Sequence, residues 1–425
     1  MERTIRTVIA TLAAAILCLG ARAQVNDPSL MNKVMQARFV AKEPVTASLG
    51  LLHYSDLHGD DAAAAELLGF ISGYAPYIDA VVNTGDAVHY YAEGTKDYPN
   101  DASWWRASGL AEKSLYVLGN HDGSVKSDAH GHLEGSSDWD FKGQEWDFDT
   151  FFADYAGTLG ITLPDGYDKK GSRYYKSCFW YKDFPDAKIR IIGLDCVHFD
   201  DDFHHVTSEQ EEWLAARLAE TLDGNSKVSG YSVVILNHYP IDDYNGDDKV
   251  WDEASHGFAY NNSPTGGRVI DHRTGDVTNF HSYSRKAYDA DKRFTMKAKV
   301  RDGSEKYGYR KGEANPLADI VQAWVDEGGK FVAWLCGHCH ADLFFYPERY
   351  PGLLCVAVDQ AGNLRGNNLT DREGDPYFRT CANFYGIDTQ HGLIKVVRMG
   401  LPMDRLMIRK DVLCYDYVKK KVIYE

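Results

Sequence analysis

The stretch Leu115-Tyr116-Val117-Leu118-Gly119-Asn120-His121-Asp122-Gly123 decides how the rest of this chain is read. An apolar run stops abruptly at Gly-Asn-His-Asp-Gly, the pattern of a short buried strand that empties into a tight polar turn. Open α/β sheets carry their chemistry at the carboxyl ends of strands, so such a turn is a place for a ligand. Taken alone the pattern is ambiguous, because Gly, Asn and Asp also build ordinary turns. Its neighbours on either side remove the ambiguity.

Upstream, residues 49–54 form a credible strand that runs into a loop holding Asp56 and His58. An Ala- and Leu-rich helix over 61–71 follows, and a second strand over 78–83 stops at Thr84-Gly85-Asp86. A helix over 104–113 then leads to the opening stretch. Downstream, the pattern loosens over about 123–170 into an aromatic, acidic insertion. Order resumes with strands at 174–181 and 189–194. Ser208-Glu209-Gln210-Glu211 is a capping box that opens an amphipathic helix. Another buried strand, 231–236, ends at Asn237-His238. A second insertion spans about 241–313. A helix over 316–327 precedes a strand over 331–335, which exits into Cys336-Gly337-His338-Cys339-His340. Short β-type runs at 343–346, 353–358, 393–397, 406–408 and 412–417 give a β-rich C-terminal portion, about 341–425. Strands alternating with helices argue for an α/β fold with its site along one sheet edge.

Five strand exits therefore carry Asp56 with His58, Asp86, Asn120 with His121, His238, and His338 with His340. Asp-x-His and His-x-His put both side chains on one side of an extended segment, so one loop gives two groups to one site. Carboxylate and imidazole together suit divalent first-row metals such as Mn, Zn, Fe or Co; an all-oxygen set would suit Mg or Ca. Two ions about 3.5–4 Å apart need a bridging carboxylate and two or three further ligands each. Seven of these residues suffice, with His121 left over. Each motif occurs by chance on its own, but all five in order at strand ends do not.

Composition limits the alternatives. Residues 1–23 combine Arg3 and Arg6, an apolar run over 8–19 and the small residues Ala21 and Ala23, the pattern of a signal peptide cut before Gln24. Bulky Leu17 argues against lipidation at Cys18, and the run is too short to span a bilayer. The reading is an exported protein, periplasmic or extracellular, with no membrane span and one domain over 24–425. Formal charge is −16, and the three Arg and one Glu of the leader leave about −18 on the remainder. Such a surface disfavours stable nucleic-acid binding. Seven cysteines remain, an odd number, and Cys336-x-x-Cys339 lacks the second pair that a zinc ribbon needs.

Taken together, Asp56-x-His58, Gly85-Asp86, Gly119-Asn120-His121-Asp122, His238 and Gly337-His338-x-His340 resemble the signature of the calcineurin-like metallophosphoesterases. The resemblance covers mainly 47–122, 189–240 and 316–345, and extends to Gln210-x-x-Trp213-Leu214. It implies a four-layer α/β/β/α sandwich with a dinuclear centre, here with two long insertions near the active site. By matching position, Asp56, His58 and His340 would hold one ion and Asp86 would bridge. Asn120, His238 and His338 would hold the other, while His121 stays off the metals and, with Asn120, faces the substrate. The implied activity is hydrolysis of a phosphate ester by a metal-bridging hydroxide. The first reading is a phosphomonoesterase on a small molecule; a diesterase or a non-catalytic metal-binding protein is the alternative. Asp-x-His in the first motif, and His89 three residues after Asp86, set the chain apart from the purple acid phosphatase branch.

One further feature bears on substrate. Residues 241–253 carry six acids against Lys249, whereas 268–311 carry twelve Lys and Arg against six Asp and Glu. A cationic stretch in an acidic protein, set between two ligand strands, is placed to recruit a phosphorylated substrate. Arg268, Arg273, Arg285 and Lys286 are its candidate contacts. Metal identity and oligomeric state are not readable from the sequence.

Overall fold

The computed structural model describes residues 34–35, 37, 48–57, 61–86, 113–117, 119, 160–164, 179–195, 208–241, 249–252, 257–260, 267–270, 277–280, 298–299, 305–306, 315–338, 343–347, 350–362, 380–400 and 412–424; between 249 and 306 it describes the backbone alone. In chain order the first elements are β1 (Ser48–Tyr54), α1 (Asp61–Tyr74), β2 (Ala80–Asn83), β3 (Ser114–Tyr116), β4 (Trp180–Phe184) and β5 (Ile189–Gly193). Next come α2 (Ser208–Leu222), β6 (Ser232–Leu236), β7 (Lys249–Asp252), β8 (Gly257–Tyr260), β9 (Gly267–Ile270) and β10 (Val277–Phe280). Then follow β11 (Ala298–Lys299), β12 (Glu305–Lys306), α3 (Pro316–Asp326), β13 (Lys330–Cys336), β14 (Leu343–Pro347) and β15 (Cys355–Ala357). The chain closes with β16 (Cys381–Asp388), β17 (Leu393–Gly400), β18 (Val412–Asp416) and β19 (Lys421–Tyr424).

Two mixed sheets hold fifteen of these strands, while β7 with β8 and β11 with β12 form separate two-stranded sheets. The first runs β19-β18-β17-β16-β1-β2-β3 and the second runs β10-β9-β14-β15-β13-β6-β5-β4. In the first, β1, β2 and β3 are parallel neighbours. In the second, β5, β6, β13 and β15 are parallel. Parallel strands share one carboxyl edge, and every described site-bearing strand belongs to one of these two parallel blocks.

Buried apolar residues form three clusters. One packs Leu49, Leu51, Val82 and Tyr385 of the first sheet against Ile189, Ile191, Val234 and Leu335 of the second. Another sets Ala63, Leu67, Phe70 and Ile71 of α1 on the opposite face of the first sheet, against Leu52, Tyr54 and Val81. A third sets Leu214 and Leu218 of α2, with Leu317, Val321 and Trp324 of α3, on the far face of the second sheet. Both sheets are therefore covered by helices outside and by each other inside. Two polar ties cross the inner face: Trp180 Nε1 donates to the Tyr116 carbonyl at 3.0 Å, and the Tyr415 hydroxyl donates to Tyr346 at 2.7 Å.

Local chemistry sets the helix that precedes β13. The Asn315 side chain accepts from the backbone N–H groups of Leu317 and Ala318, both at 3.1 Å, and Pro316 occupies the first helical position. Those residues fill the donors that a helix start leaves open and fix φ for its first turn. Gly328, at φ 102°, then ends the helix in a left-handed conformation and turns the chain toward β13.

Several sequence expectations shift in position. The strand expected over 174–181 lies at Trp180–Phe184, and residues 174–178 fall outside the described set. Part of the second insertion is not separate from the sheet: β9 pairs antiparallel with β14 and carries β10 beyond it. From the first insertion the described piece is 160–164, where Thr162 bridges to Tyr181. β16 and β19 fall in the C-terminal portion expected to be β-rich but were not among its expected runs. The leader, the helix over 104–113 apart from Lys113, and the run at 406–408 lie outside the described residues.

Candidate metal centre

Four strand exits converge where the two parallel blocks meet. Asp56 follows β1, Asp86 follows β2, His238 follows β6 and His338 follows β13. The backbones of these exits bond one another directly. The Asp56 N–H donates to the Gly85 carbonyl at 2.9 Å, and the Gly337 N–H donates to the His238 carbonyl at 3.0 Å. Across the two sheets, the His338 N–H donates to Asp56 Oδ2 at 2.9 Å. The loops are thus fixed by each other rather than by solvent.

That fixing is achieved against backbone preference. Asp56, Asp86 and His338 have φ of 55°, 54° and 64°, in the left-handed region. Such conformations cost about 1–3 kcal/mol each for residues with a side chain and persist where surrounding contacts over-determine them. Among the described residues the other non-glycine cases are Lys188 and Lys420, both in turns. Three candidate ligands sharing one strained conformation is a local signature of a site.

Close approach of the loops also requires glycine. A Cβ on Gly119 would run into the Asp86 carboxylate, and one on Gly337 would meet Ser55 Oγ and the Asp56 carboxylate. The Gly-Asn-His and Gly-His motifs thereby gain a physical reason: the glycine of one loop is the floor beneath the carboxylate of another. In the Gly-Asp motif, a Cβ on Gly85 would meet the Gly119 backbone and His238 Nδ1.

Within this cradle, ligand atoms of Asp86, His238 and His338 all lie within 4.8 Å of one another. His238 Nε2 is 3.3 Å from Asp86 Oδ2, while His238 Nδ1 donates to the Thr84 carbonyl at 2.7 Å. That second bond orients the ring and turns Nε2 toward the cluster, the arrangement expected of a metal-ligating histidine. The His238 and His338 ring centroids are 5.0 Å apart, and Tyr239 packs edge-on against both, at 5.1 and 4.5 Å. Asp56, Asp86 and His238 are buried, and His338 is half-buried.

Electrostatics point the same way. Burial disfavours a charged His238, but the adjacent Asp86 carboxylate, with help from Asp56 and the Thr84 carbonyl, outweighs it and pushes its pKa up to about 9. Two buried carboxylates draw a positive charge into the site, and without metal His238 supplies it as a proton. The donor set of imidazole nitrogens and carboxylate oxygens fits a divalent first-row metal, which would take that proton's place.

Of the residues expected from sequence, Asp86, His238 and His338 are brought together and Asp56 lies beside them through its bond to His338. Arg268 lies on β9, whose side chains are not described. His58, Asn120, His121, His340, Arg273, Arg285 and Lys286 fall outside the described residues. Sequence reading missed Thr84 and Tyr239. Both sit next to a motif residue, and their proximity was the available signal.

The family profile described as calcineurin-like phosphoesterase matches residues 49–266, a span that holds Asp56, Asp86 and His238. No curated protein matches the chain. Among solved structures, a dimetal phosphatase from Danio rerio is similar at TM-score 0.46 and 9% identity, covering 87% of this chain and 99% of its own. GAP50, described as the anchor in the inner membrane complex of Plasmodium, is similar at TM-score 0.35 and 11% identity, covering 89% of this chain and 87% of its own. With TM-scores below 0.5, neither likeness carries weight for fold or function.

Proposed function

The chain belongs to the calcineurin-like phosphoesterases and is a metal-dependent hydrolase of phosphoric esters, and from that premise we propose an exported phosphomonoesterase with a dinuclear centre that acts on a small phosphorylated molecule. The observation that carries the reading is the gathering of Asp86, His238 and His338 within 4.8 Å, with Asp56 bonded alongside. In this reading Asp56, His58 and His340 would hold one ion, Asn120, His238 and His338 would hold the other, and Asp86 would be shared by both. The ions are drawn from Mn, Zn, Fe and Co. When bound, they supply charge stabilisation for the phosphoryl oxygens and lower the pKa of water near the ester.

The remaining work belongs to side chains. His121, next to Asp122, holds a proton for the leaving oxygen, a role that suits an imidazole titrating near neutral pH. Asn120 helps orient the ester. Arg268, Arg273, Arg285 and Lys286 offset the negative charge of the protein and draw in a dianionic phosphate. A monoester carries that second negative charge and a diester does not, which favours a monoester for a cationic approach. Export rests on the basic and apolar leader over 1–23.

The test is to strip the protein with chelator and reload it separately with Mn²⁺, Zn²⁺, Fe²⁺ and Co²⁺. Each form is then assayed on p-nitrophenyl phosphate, bis(p-nitrophenyl) phosphate and pyrophosphate. The expected result is fastest turnover of the monoester by one loaded form. Asp86→Asn should lose metal and turnover together, whereas His121→Ala should keep metal and lose turnover by about 10²–10⁴-fold. Preferential turnover of the diester overturns the monoester reading. Full metal loading with no turnover of any ester would instead make the chain a metal-binding protein.

A further inference from the structure

Beneath the candidate centre lies a buried polar chain that the metal ligands do not explain. His53 on β1 is completely buried, and both ring nitrogens have partners: Nδ1 lies 3.2 Å from the Tyr385 hydroxyl and Nε2 lies 2.9 Å from Thr84 Oγ1. Tyr385 and Asn383 come from β16, the strand that pairs with β1 on its other side. Asn383 Nδ2 donates to the Tyr385 hydroxyl at 3.2 Å, and Arg398 Nη1 on β17 donates to Asn383 Oδ1 at 3.0 Å.

These contacts have one consistent direction. The guanidinium can only donate, so it fixes the Asn383 carbonyl toward itself and the amide toward Tyr385. The Tyr385 oxygen accepts from that amide and has its own proton for His53 Nδ1. His53 Nδ1 is then the acceptor, Nε2 carries the ring proton, and Thr84 Oγ1 receives it. Burial, opposed by Asp56 and reinforced by Arg398, holds the ring neutral with a pKa of about 3, as this tautomer requires. Thr84 is the residue whose carbonyl accepts from His238 Nδ1 at 2.7 Å.

We propose that His53 is a positioning residue for the metal centre: through the chain Arg398–Asn383–Tyr385–His53–Thr84 it fixes the Thr84 peptide, and so the ring of His238. The inference rests on the metal-centre reading above and adds an outer layer to it. His53 does not reach the ligand atoms. It sets the hydroxyl of the residue whose backbone oxygen aims a ligand, and the chain is anchored at its far end by a buried guanidinium. Outer-shell partners of this kind change metal affinity by about 10–100-fold when removed.

The experiment uses the full chain, stripped with chelator, and Mn²⁺ as the probe. Mn²⁺ affinity is measured by calorimetry for wild type, His53→Leu, His53→Gln, Thr84→Val and the Leu/Val double variant. Leu removes both hydrogen bonds, whereas the Gln amide nitrogen reaches the place of Nε2 and can still donate to Thr84. His53→Leu and Thr84→Val should each weaken Mn²⁺ by about 10-fold or more. The double variant should be no worse than either single one, because both break the same chain. His53→Gln should stay within about 3-fold of wild type, the rescue expected if the Thr84 bond is what matters.

Hydrogen–deuterium exchange of the metal-free proteins gives a second readout. A positioning role predicts faster exchange in the peptides over 80–86 and 237–239 for His53→Leu, with the rest of the first sheet unchanged. Wild-type affinity in folded His53→Leu overturns the proposal, as does a uniform rise in exchange across β1, β2 and β16. If His53→Leu does not fold, Thr84→Val decides alone: wild-type affinity there refutes the chain, and local loosening with weaker Mn²⁺ supports it. Should wild type bind none of Mn²⁺, Zn²⁺, Fe²⁺ and Co²⁺, the metal-centre reading fails, and exchange at 80–86 still judges the relay.

Discussion

His53 should make the metal-free protein less stable in acid. Its pKa is held at about 3, against 6.5 for an ordinary imidazole, chiefly by burial. The groups that face it come from several elements: Asp56 after β1 raises its pKa, Arg398 on β17 lowers it, and the Thr84 and Tyr385 hydroxyls bond its two nitrogens. Because the folded pKa lies below the unfolded one, the stability His53 contributes is fully present above pH 6.5. It is lost as pH falls toward 3, where the unfolded chain binds a proton that the native ring refuses. The slope in that window is about 1.4 kcal/mol per pH unit, so the loss from pH 7 to pH 5 is about 2 kcal/mol. The assay is urea unfolding in chelator from pH 7 to pH 5, for wild type and His53→Gln. The variant has no titrating group at this position, so the stability difference between the two should move by about 2 kcal/mol in favour of Gln on acidification. Parallel curves for the two proteins would refute the reasoning, because they would mean His53 takes up its proton in the native state.

Three further outcomes follow from the site. His238 runs the opposite way: its folded pKa of about 9 lies above the unfolded value, so its contribution to metal-free stability is present below pH 6.5 and lost as pH rises to 9. Metal binding near neutral pH should therefore release about one proton from this ring, read by calorimetry in buffers of different ionisation enthalpy. Gly119→Ala places a methyl against the Asp86 carboxylate and should weaken Mn²⁺ by about 10-fold or more, with little change in the far-ultraviolet circular dichroism. Replacing Arg268, Arg273, Arg285 and Lys286 together by neutral residues should raise KM for the best phosphoester and make KM less sensitive to salt; an unchanged KM would remove these residues from the substrate path.

The motif-bearing half of the fold was legible because its strands are apolar runs that stop at polar loops. The expected runs at 49–54, 78–83, 189–194, 231–236 and 331–335 all correspond to strands of the two sheets. Their exits also held the chemistry, since spacing and residue type reveal a ligand without any knowledge of packing. Strain was not legible in advance. Nothing in the residue names announces that Asp56, Asp86 and His338 share left-handed backbone. Nor does it announce that Gly119 and Gly337 are floors for carboxylates of other loops. Those facts exist only once the loops are pressed together.

β16 is the instructive miss. It pairs with β1 over six residues on one side and with β17 over eight on the other, and is buried throughout. Yet Cys-Ala-Asn-Phe-Tyr-Gly-Ile-Asp breaks the apolar run with Asn383 and Gly386, so a reading by hydrophobic periodicity passes over it. The break at Asn383 is caused by the polar chain itself. Asn383 and Tyr385 sit on the inner face because they must meet Arg398 and His53. A buried amide and hydroxyl are tolerated there because each is hydrogen-bonded. His53 was hidden for the same reason. Within 49–54 it looks like one polar residue in an apolar strand, and its partner Tyr385 is 332 residues away, in a strand that periodicity does not detect. Where a strand's pattern is broken by residues that prove to be fully bonded inside, the break marks where the core has been adapted to hold the site.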